Sequence, residues 1–363
     1  MTRIPTVDAL RGLAASIVVF HHAFVIFPGS FRTLREVSPG LYHAAQLISN
    51  SNVEAVLLFF VISGFSIRLS ANRLDLTRKA DINTYLFKRF KRLLPLYWSA
   101  LVLTLCVGFL TSRLDAEAFS LTNLAGNLAF LQAPASVRGV WFVPYGDNYP
   151  LWSLSFEMFF YLLFPFVVLA GKTLAVRRFS YISNAVFLLV IAGSALALAL
   201  YNLFPNPLAL FASHFVIWYL GVELAEVQLG HKQAKDGFVL FGSVLIVLWL
   251  IVRWTGSASL SNILIGFSIF MIWRVVQILQ PHRHAAVAKA DRLFCGVFGG
   301  LGLISYSVYL FHYPIMRFMA AQEDLASIVS LAIAVFAALF VAYVGENLAK
   351  RPAYGFLRLR YVR

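Results

Sequence analysis

Charge is what this sequence has least of. Only 13% of its 363 residues are Asp, Glu, Lys or Arg, about half the share of a water-soluble domain. Hydrophobic residues make up 60% and aromatics 15%, and the mean hydropathy is +0.77. Too little polar surface remains to face water, so a soluble globular fold is excluded. Cysteine is nearly absent. Cys106 and Cys295 form neither a disulfide framework nor metal-ligand spacing, and both are expected as packing residues. There is no long-period repeat, low-complexity tract or linker. No P-loop, no G-x-G-x-x-G opening a helix, no G-x-S-x-G and no H-E-x-x-H occurs. A short apolar prefix with a cleavage site is also missing, so no cleaved signal is expected.

What is present in quantity is apolar length. Ten stretches approach the ~20 residues that a bilayer requires. They lie near 9–28, 53–70, 93–112, 150–170, 180–203, 208–228, 237–254, 258–279, 297–319 and 326–346. The stretch 119–133 is apolar but short and reads as a re-entrant or interfacial piece. The expected architecture is all-α: a polytopic membrane protein of about ten transmembrane helices. It forms one membrane-embedded domain over 1–363 with no appended soluble domain. Lys and Arg outnumber Asp and Glu by 30 to 16, a net charge of +14. Such an excess invites a nucleic-acid partner, but its distribution argues otherwise. Arg32, Arg35, Arg113, Arg138, Arg253 and Arg317 fall on one side of the ten spans, and the other 24 of the 30 fall on the opposite side. Retained Lys and Arg mark the cytoplasmic face. An N-in/C-in topology follows, with membrane lipids as the partner of that charge and no nucleic acid.

Against this apolar background the ionisable residues inside spans stand out. The first span reads LRGLAASIVVFHHAF, Leu10 to Phe24. Eleven residues separate Arg11 from His22; at about 100° each they turn about 1100°, roughly 20° past three full turns. The two side chains therefore share one stripe, about 16 Å apart along the axis. His21 points elsewhere. One reading has Arg11 snorkelling to the interface and His22 bonded to a neighbouring helix. The other makes the stripe a site, because ionisable groups within spans mark pathways or active centres and a neutral imidazole suits a general base.

Three further segments carry chemistry. In FKRFKRLLPLYW (Phe87 to Trp98), Arg89 and Arg92 are i,i+3 on one helix face, and Lys88 and Lys91 pair on an adjoining face. Planar guanidinium groups suit phosphate, although a cytoplasmic anchor on lipid headgroups has the same spacing. In NYPLWSLSFEMFFYLLFPF (Asn148 to Phe166), Glu157 sits inside a span at a depth near that of His22, with Ser153 and Ser155 close by. A carboxylate there is paired or protonated, and either Glu157 or the more interfacial Glu54 could orient a histidine. GLISYSVYLFHYP (Gly302 to Pro314) brings Ser305, Tyr306, Tyr309 and His312 into the ninth span, where packing and interhelical bonds account for most of them. Glu346 could pair with Lys350 or Arg351. The His231–Asp236 pair has the H-x4-D spacing of glycerolipid acyltransferases but lacks their supporting blocks.

Five pieces stand in one order over nearly the whole chain: DALRGLAASIVVFHHAF, EAVLLFFVISGFSI, KRFKRLLPLYW, LWSLSFEMFFYLLFP and ISYSVYLFHYP. Together they resemble the acyltransferase-3 family of bacterial integral-membrane O-acyltransferases. The resemblance puts the family's R-x10-H motif on Arg11 and His22 and its R-x-x-R motif on Arg89 and Arg92. It implies acyl-CoA, often acetyl-CoA, as a cytoplasmic co-substrate without a metal. It also implies a hydroxyl on a carbohydrate or glycan as acceptor, and the bacterial inner membrane as location. Two departures are visible: the acidic-x-proline ending is stretched to ENLAKRP, and no SGNH-type domain follows the last span. On this reading Arg89 and Arg92, with Lys88, hold the CoA phosphates. His22 deprotonates the acceptor, Glu157 steadies the imidazolium and Arg11 stabilises negative charge. The competing reading is a transporter or flippase for a lipid-linked sugar, which would use the same buried His, Arg and Glu as a proton relay.

Overall fold

The computed structural model describes residues 4–174, 182–231, 258–279, 285–322 and 328–350. They form thirteen α-helices: α1 Pro5–Ile26, α2 Pro28–Val37, α3 Pro39–Ser49, α4 Asn52–Ala71, α5 Lys79–Leu110, α6 Leu121–Leu128, α7 Trp152–Leu174, α8 Ile182–Leu203, α9 Pro207–Gln228, α10 Ala258–Leu279, α11 Ala285–Gly302, α12 Ser305–Ala320 and α13 Ile328–Lys350. Among the described residues there is no strand, only one isolated bridge between Gln132 and Phe142. The all-α, multi-pass expectation holds. Among the described residues seven helical units are long and apolar enough to cross a membrane, or eight if the bent pair α11 and α12 counts as one. The expected span 237–254 lies outside the described residues.

Prolines set the punctuation. Pro5, Pro28, Pro39 and Pro207 each occupy the first turn of a helix, where the missing N–H is no loss and the fixed φ is already helical. Pro28 and Pro39 thus cut the connection between the first two spans into α2 and α3, two short helices that the apolar pattern alone did not separate. The stretch 119–133 contains α6, whose cap is Ser120: its hydroxyl accepts from the Asn123 N–H at 3.2 Å. Buried hydrogen bonds dock this segment on α5. Tyr97 donates to the Asn127 carbonyl at 2.9 Å, and the Gln132 amide donates to Tyr97 at 3.1 Å and to the Leu151 carbonyl at 2.9 Å.

Helix α9 is the most enclosed, with every residue from Ser213 through Ala225 buried. A helix apolar on all sides belongs inside. Its contact with α4 is very close: a Cβ on Gly64 would lie 2.0 Å from the Trp218 carbonyl oxygen, and one on Gly221 would lie 1.9 Å from that of Val61. Helices α1 and α11 meet the same way, Gly12 against Phe298 and Gly302 against Asp8. Small residues let backbones approach where lipid offers no hydrophobic drive for helix association. Aromatic rings fill the space beside them, with Phe60, Phe160, Phe164, Phe215 and Trp218 in mutual contact. The outer surface is apolar. On α5, Val102, Leu105 and Phe109 are exposed, and so is Cys106, which faces outward instead of filling the core as expected.

Candidate active site

Helices α1, α4, α5, α7 and α12 enclose a cavity of about 830 Å³, measured as empty space including its open mouth. Three arginines from two helices converge on its wall: Arg11 from α1, and Arg89 and Arg92 from α5. The Arg11 guanidinium donates to Asp8 at 3.1 Å and to the Ser66 hydroxyl at 2.6 Å, so it is held in place from both sides. Arg89 donates from Nη2 to Ser70 at 3.2 Å and lies 5.9 Å from the Tyr85 ring centroid. Its Nε is buried and has no hydrogen-bond partner. Arg92 has no hydrogen bond or ion pair among the described residues. Glu157, the carboxylate on this wall, accepts from Ser63 at 2.7 Å and from Tyr161.

With Arg11 paired to Asp8, Arg89 and Arg92 face the one carboxylate of Glu157, and the cavity keeps an excess positive charge. An unused donor on Arg89 and an unpaired Arg92 are what a bound anion would satisfy. Planar forks suit the paired oxygens of phosphate, so this donor set fits the phosphates of a CoA substrate. Helical phase brought Arg89 and Arg92 to one face as expected. Lys88 and Lys91 are exposed and do not line the cavity. Among the described residues no cluster of His, Cys, Asp or Glu could hold a metal ion.

His22 is not on this wall. It meets His312 of α12: His22 Nδ1 and His312 Nε2 are 2.9 Å apart, and Tyr313 stands edge-on to the His22 ring at 4.9 Å between centroids. The hydrogen bonds fix the tautomers. His312 Nδ1 lies 2.8 Å from the Val308 carbonyl, which can only accept, so Nδ1 carries the proton. His312 is fully enclosed and has no carboxylate partner among the described residues, and a charge so placed is costly. In the neutral ring, Nε2 must then be the acceptor. The His22 Nδ1–H is therefore the donor, and the basic lone pair of His22 sits on Nε2.

Tyr309 stands between the two groups. It lines the arginine cavity, its hydroxyl is 2.8 Å from Ser153 Oγ, and its ring centroid is 6.3 Å from that of His312. Arg11 and His22 thus share a stripe of α1, as their spacing required, but only Arg11 lines the cavity, while His22 turns to His312 and Tyr313. Glu157 bonds to Ser63 and Tyr161, not to His22, so the imidazole is backed by a second histidine instead of a carboxylate. His21 turns to Ser49, with Nδ1 3.0 Å from its carbonyl. Glu54 lies on neither the arginine cavity nor the histidine pair. Glu346 accepts from Ser307 at 2.7 Å; Arg351, its alternative partner, is outside the described residues, as is Asp236. Sequence reasoning named His312 but did not pair it with His22, nor Asp8 and Ser66 with Arg11. The His312 signal was there, a histidine one turn from Tyr309 in a glycine-preceded span, but pairing across 290 positions has no local signature.

Comparison with known proteins agrees with this chemistry. A family model described as an acyltransferase domain matches residues 4–346. The chain is 26% identical over 382 aligned residues to the acyltransferase MdmB of Streptomyces mycarofaciens, covering 94% of this chain and 89% of that protein. It is 27% identical over 286 residues to the exopolysaccharide production protein ExoZ of Rhizobium meliloti (strain 1021), covering 75% and 80%. It is 22% identical over 334 residues to the putative peptidoglycan O-acetyltransferase YrhL of Bacillus subtilis (strain 168), covering 85% of this chain and 51% of that one. No solved structure matches. With a match running almost end to end and five motifs in the family's order, the chain belongs to the acyltransferase-3 family and is a membrane acyltransferase.

Proposed function

We propose that the protein moves an acyl group, acetyl by preference, from acyl-CoA on the cytoplasmic side to a hydroxyl of a sugar or glycan. Acceptor and transfer lie toward the opposite side of a bacterial inner membrane that ten helices cross with both termini inside. The observation that carries this reading is the convergence of Arg11, Arg89 and Arg92 on one cavity with a single facing carboxylate. Relatives named for exopolysaccharide production and for peptidoglycan O-acetylation support a glycan acceptor.

In this mechanism Arg89 and Arg92 grip the CoA phosphates at the mouth and Arg11 flanks the path inward. The rise from Arg11 to His22 is about 16 Å, so an extended arm carries the thioester past Tyr309 toward the imidazole. His22 Nε2 takes the acceptor's hydroxyl proton as that oxygen bonds to the thioester carbonyl carbon. When the tetrahedral adduct collapses, the carbon–sulfur bond breaks. The sulfur leaves with the electron pair and recovers the proton from the imidazolium as free thiol. His312 holds the productive tautomer. Glu157 balances the arginine charge when no donor is bound. The test is transfer of label from acetyl-CoA in membranes carrying the full chain. Wild type should label a membrane or glycan fraction, and Arg89→Ala should lose most of that labelling at low donor concentration. Substrate movement that needs no CoA and survives Arg89→Ala would point to a transporter instead.

A further inference from the structure

A second cavity, about 810 Å³ including its open mouth, lies at the far end of α5. Its position relative to the first is set by two helices. Along α5, Arg92 lines one cavity and Gly108 the other, about 24 Å apart in helical rise. Along α12, Tyr309 lines the first and Tyr313 the second. His312 lies between these tyrosines, and Tyr313 touches the His22 ring edge-on. The histidine pair therefore adjoins Tyr313 of the second cavity and, through His312, Tyr309 of the first.

The chemistry of the second cavity differs from that of the first. Asn148 lines it, is 1% exposed, and donates from Nδ2 to Thr104 at 3.0 Å. Its Oδ1 has no partner, although buried polar atoms are nearly always satisfied. The loop that carries Asn148 is pinned against α5. Gly146 has φ +58°, where a Cβ would come within 2.5 Å of Thr104, and Asp147 takes the same left-handed conformation. Non-glycine residues held there cost free energy and concentrate at functional sites. An amide acceptor beside an aromatic ring suits a pyranose, whose hydroxyls donate and whose C–H face packs on π-systems. Two cations complete the lining. Arg113 pairs with Asp147 at 3.2 Å, and Arg317 has no partner among the described residues. Among the described residues one cation of the lining is left over.

Resting on the acyltransferase reading above, we propose that this second cavity is the acceptor chamber and takes a sugar ring bearing an anionic group. Asn148 and Tyr313 hold the ring, and Arg317 holds the carboxylate or phosphate. The reacting hydroxyl is thereby directed at His22 from the side opposite the thioester.

The test uses the full chain in detergent with Cys106→Ala and Cys295→Ala, and adds Ala320→Cys on the chamber wall as a maleimide reporter. Glucuronate should slow labelling of the introduced thiol, methyl glucoside should need a markedly higher concentration, and CoA should not protect. Arg317→Ala should raise the glucuronate concentration for half protection by roughly ten-fold or more, the scale of one lost charged hydrogen bond, and Asn148→Ala by about three- to ten-fold, the scale of a neutral one, while CoA binding stays intact and shows that the variants fold. Arg89→Ala should do the reverse. Protection by CoA, protection by neither sugar, or equal protection by both sugars overturns the proposal. If CoA fails to bind the wild-type chain, the donor reading falls instead, and sugar protection is scored separately from it.

Discussion

Replacing His312 with phenylalanine tests whether the second imidazole orients the first. The ring is fully enclosed and phenylalanine has similar bulk, so no large cavity opens. The Val308 carbonyl keeps its helical partner, and the specific loss is the His312 acceptor for the His22 Nδ1–H at 2.9 Å, while the backbone hydrogen bond of His22 to Val18 remains. A neutral hydrogen bond contributes about 0.5–1.5 kcal/mol net, and 1.4 kcal/mol is a factor of about ten in an equilibrium. The fraction of His22 with its lone pair on Nε2 should therefore fall by up to roughly ten-fold. Removing a general base altogether costs about 10²–10⁴. Acetyl transfer from labelled acetyl-CoA should thus rank wild type, then His312→Gln, whose side-chain oxygen can still accept, then His312→Phe near a tenth, with His22→Ala at about a hundredth or less. NMR of labelled histidine nitrogens should show His22 protonated on Nδ1 in wild type and shifted toward Nε2 in His312→Phe. A His312→Phe enzyme of wild-type rate beside a dead His22→Ala enzyme would falsify the orienting role, and so would a wild-type His22 protonated on Nε2.

Other expectations follow from contacts already described. Arg89→Ala and Arg92→Ala should each raise the KM for acetyl-CoA about ten-fold or more, the scale of a charged hydrogen bond, with a smaller effect on kcat; a kcat-only effect would contradict a binding role. Tyr309→Ala should remove the partition between the two compartments and increase acetyl-CoA hydrolysis relative to acetyl transfer, measured as thiol release against label incorporated. An unchanged ratio would mean the tyrosine separates nothing. Gly64→Ala puts a methyl 2.0 Å from the Trp218 carbonyl. Overpacking of this kind costs about 1–3 kcal/mol, so thermal unfolding in detergent should begin several degrees lower, and an unaltered Tm would show that α4 and α9 can part freely.

Much of the site was legible because helical phase is local. Arg11 and His22 had to share a stripe, and Arg89 and Arg92 a face, whatever the tertiary arrangement. The apolar runs likewise fixed where helices form, and the prolines fixed where several begin. What could not be read was partnership. Glu157 and His22 match in depth, and depth alone made them neighbours. In the fold Glu157 looks to Ser63 and Tyr161 on α4 and α7, while α12 delivers His312 to His22. Which helices touch depends on glycine contacts such as Gly12 with Phe298 and Gly302 with Asp8, and these are written in pairs far apart in the chain. Lys88 shows the same limit, since its place beside the arginines in sequence did not bring it to the cavity.

The wall between the two cavities is thin. Tyr309 lines one cavity and Tyr313 the other, and they are one helical turn apart, a rise of about 6 Å. On the proposed topology, a membrane that stores energy as an ion gradient cannot tolerate a water-filled hole there. A pair of uncharged rings, each proton committed to a carbonyl or to its neighbour, passes one proton during turnover without offering a standing wire for leakage. Thinning that septum should harm cells through gradient collapse, even where acylation itself is dispensable.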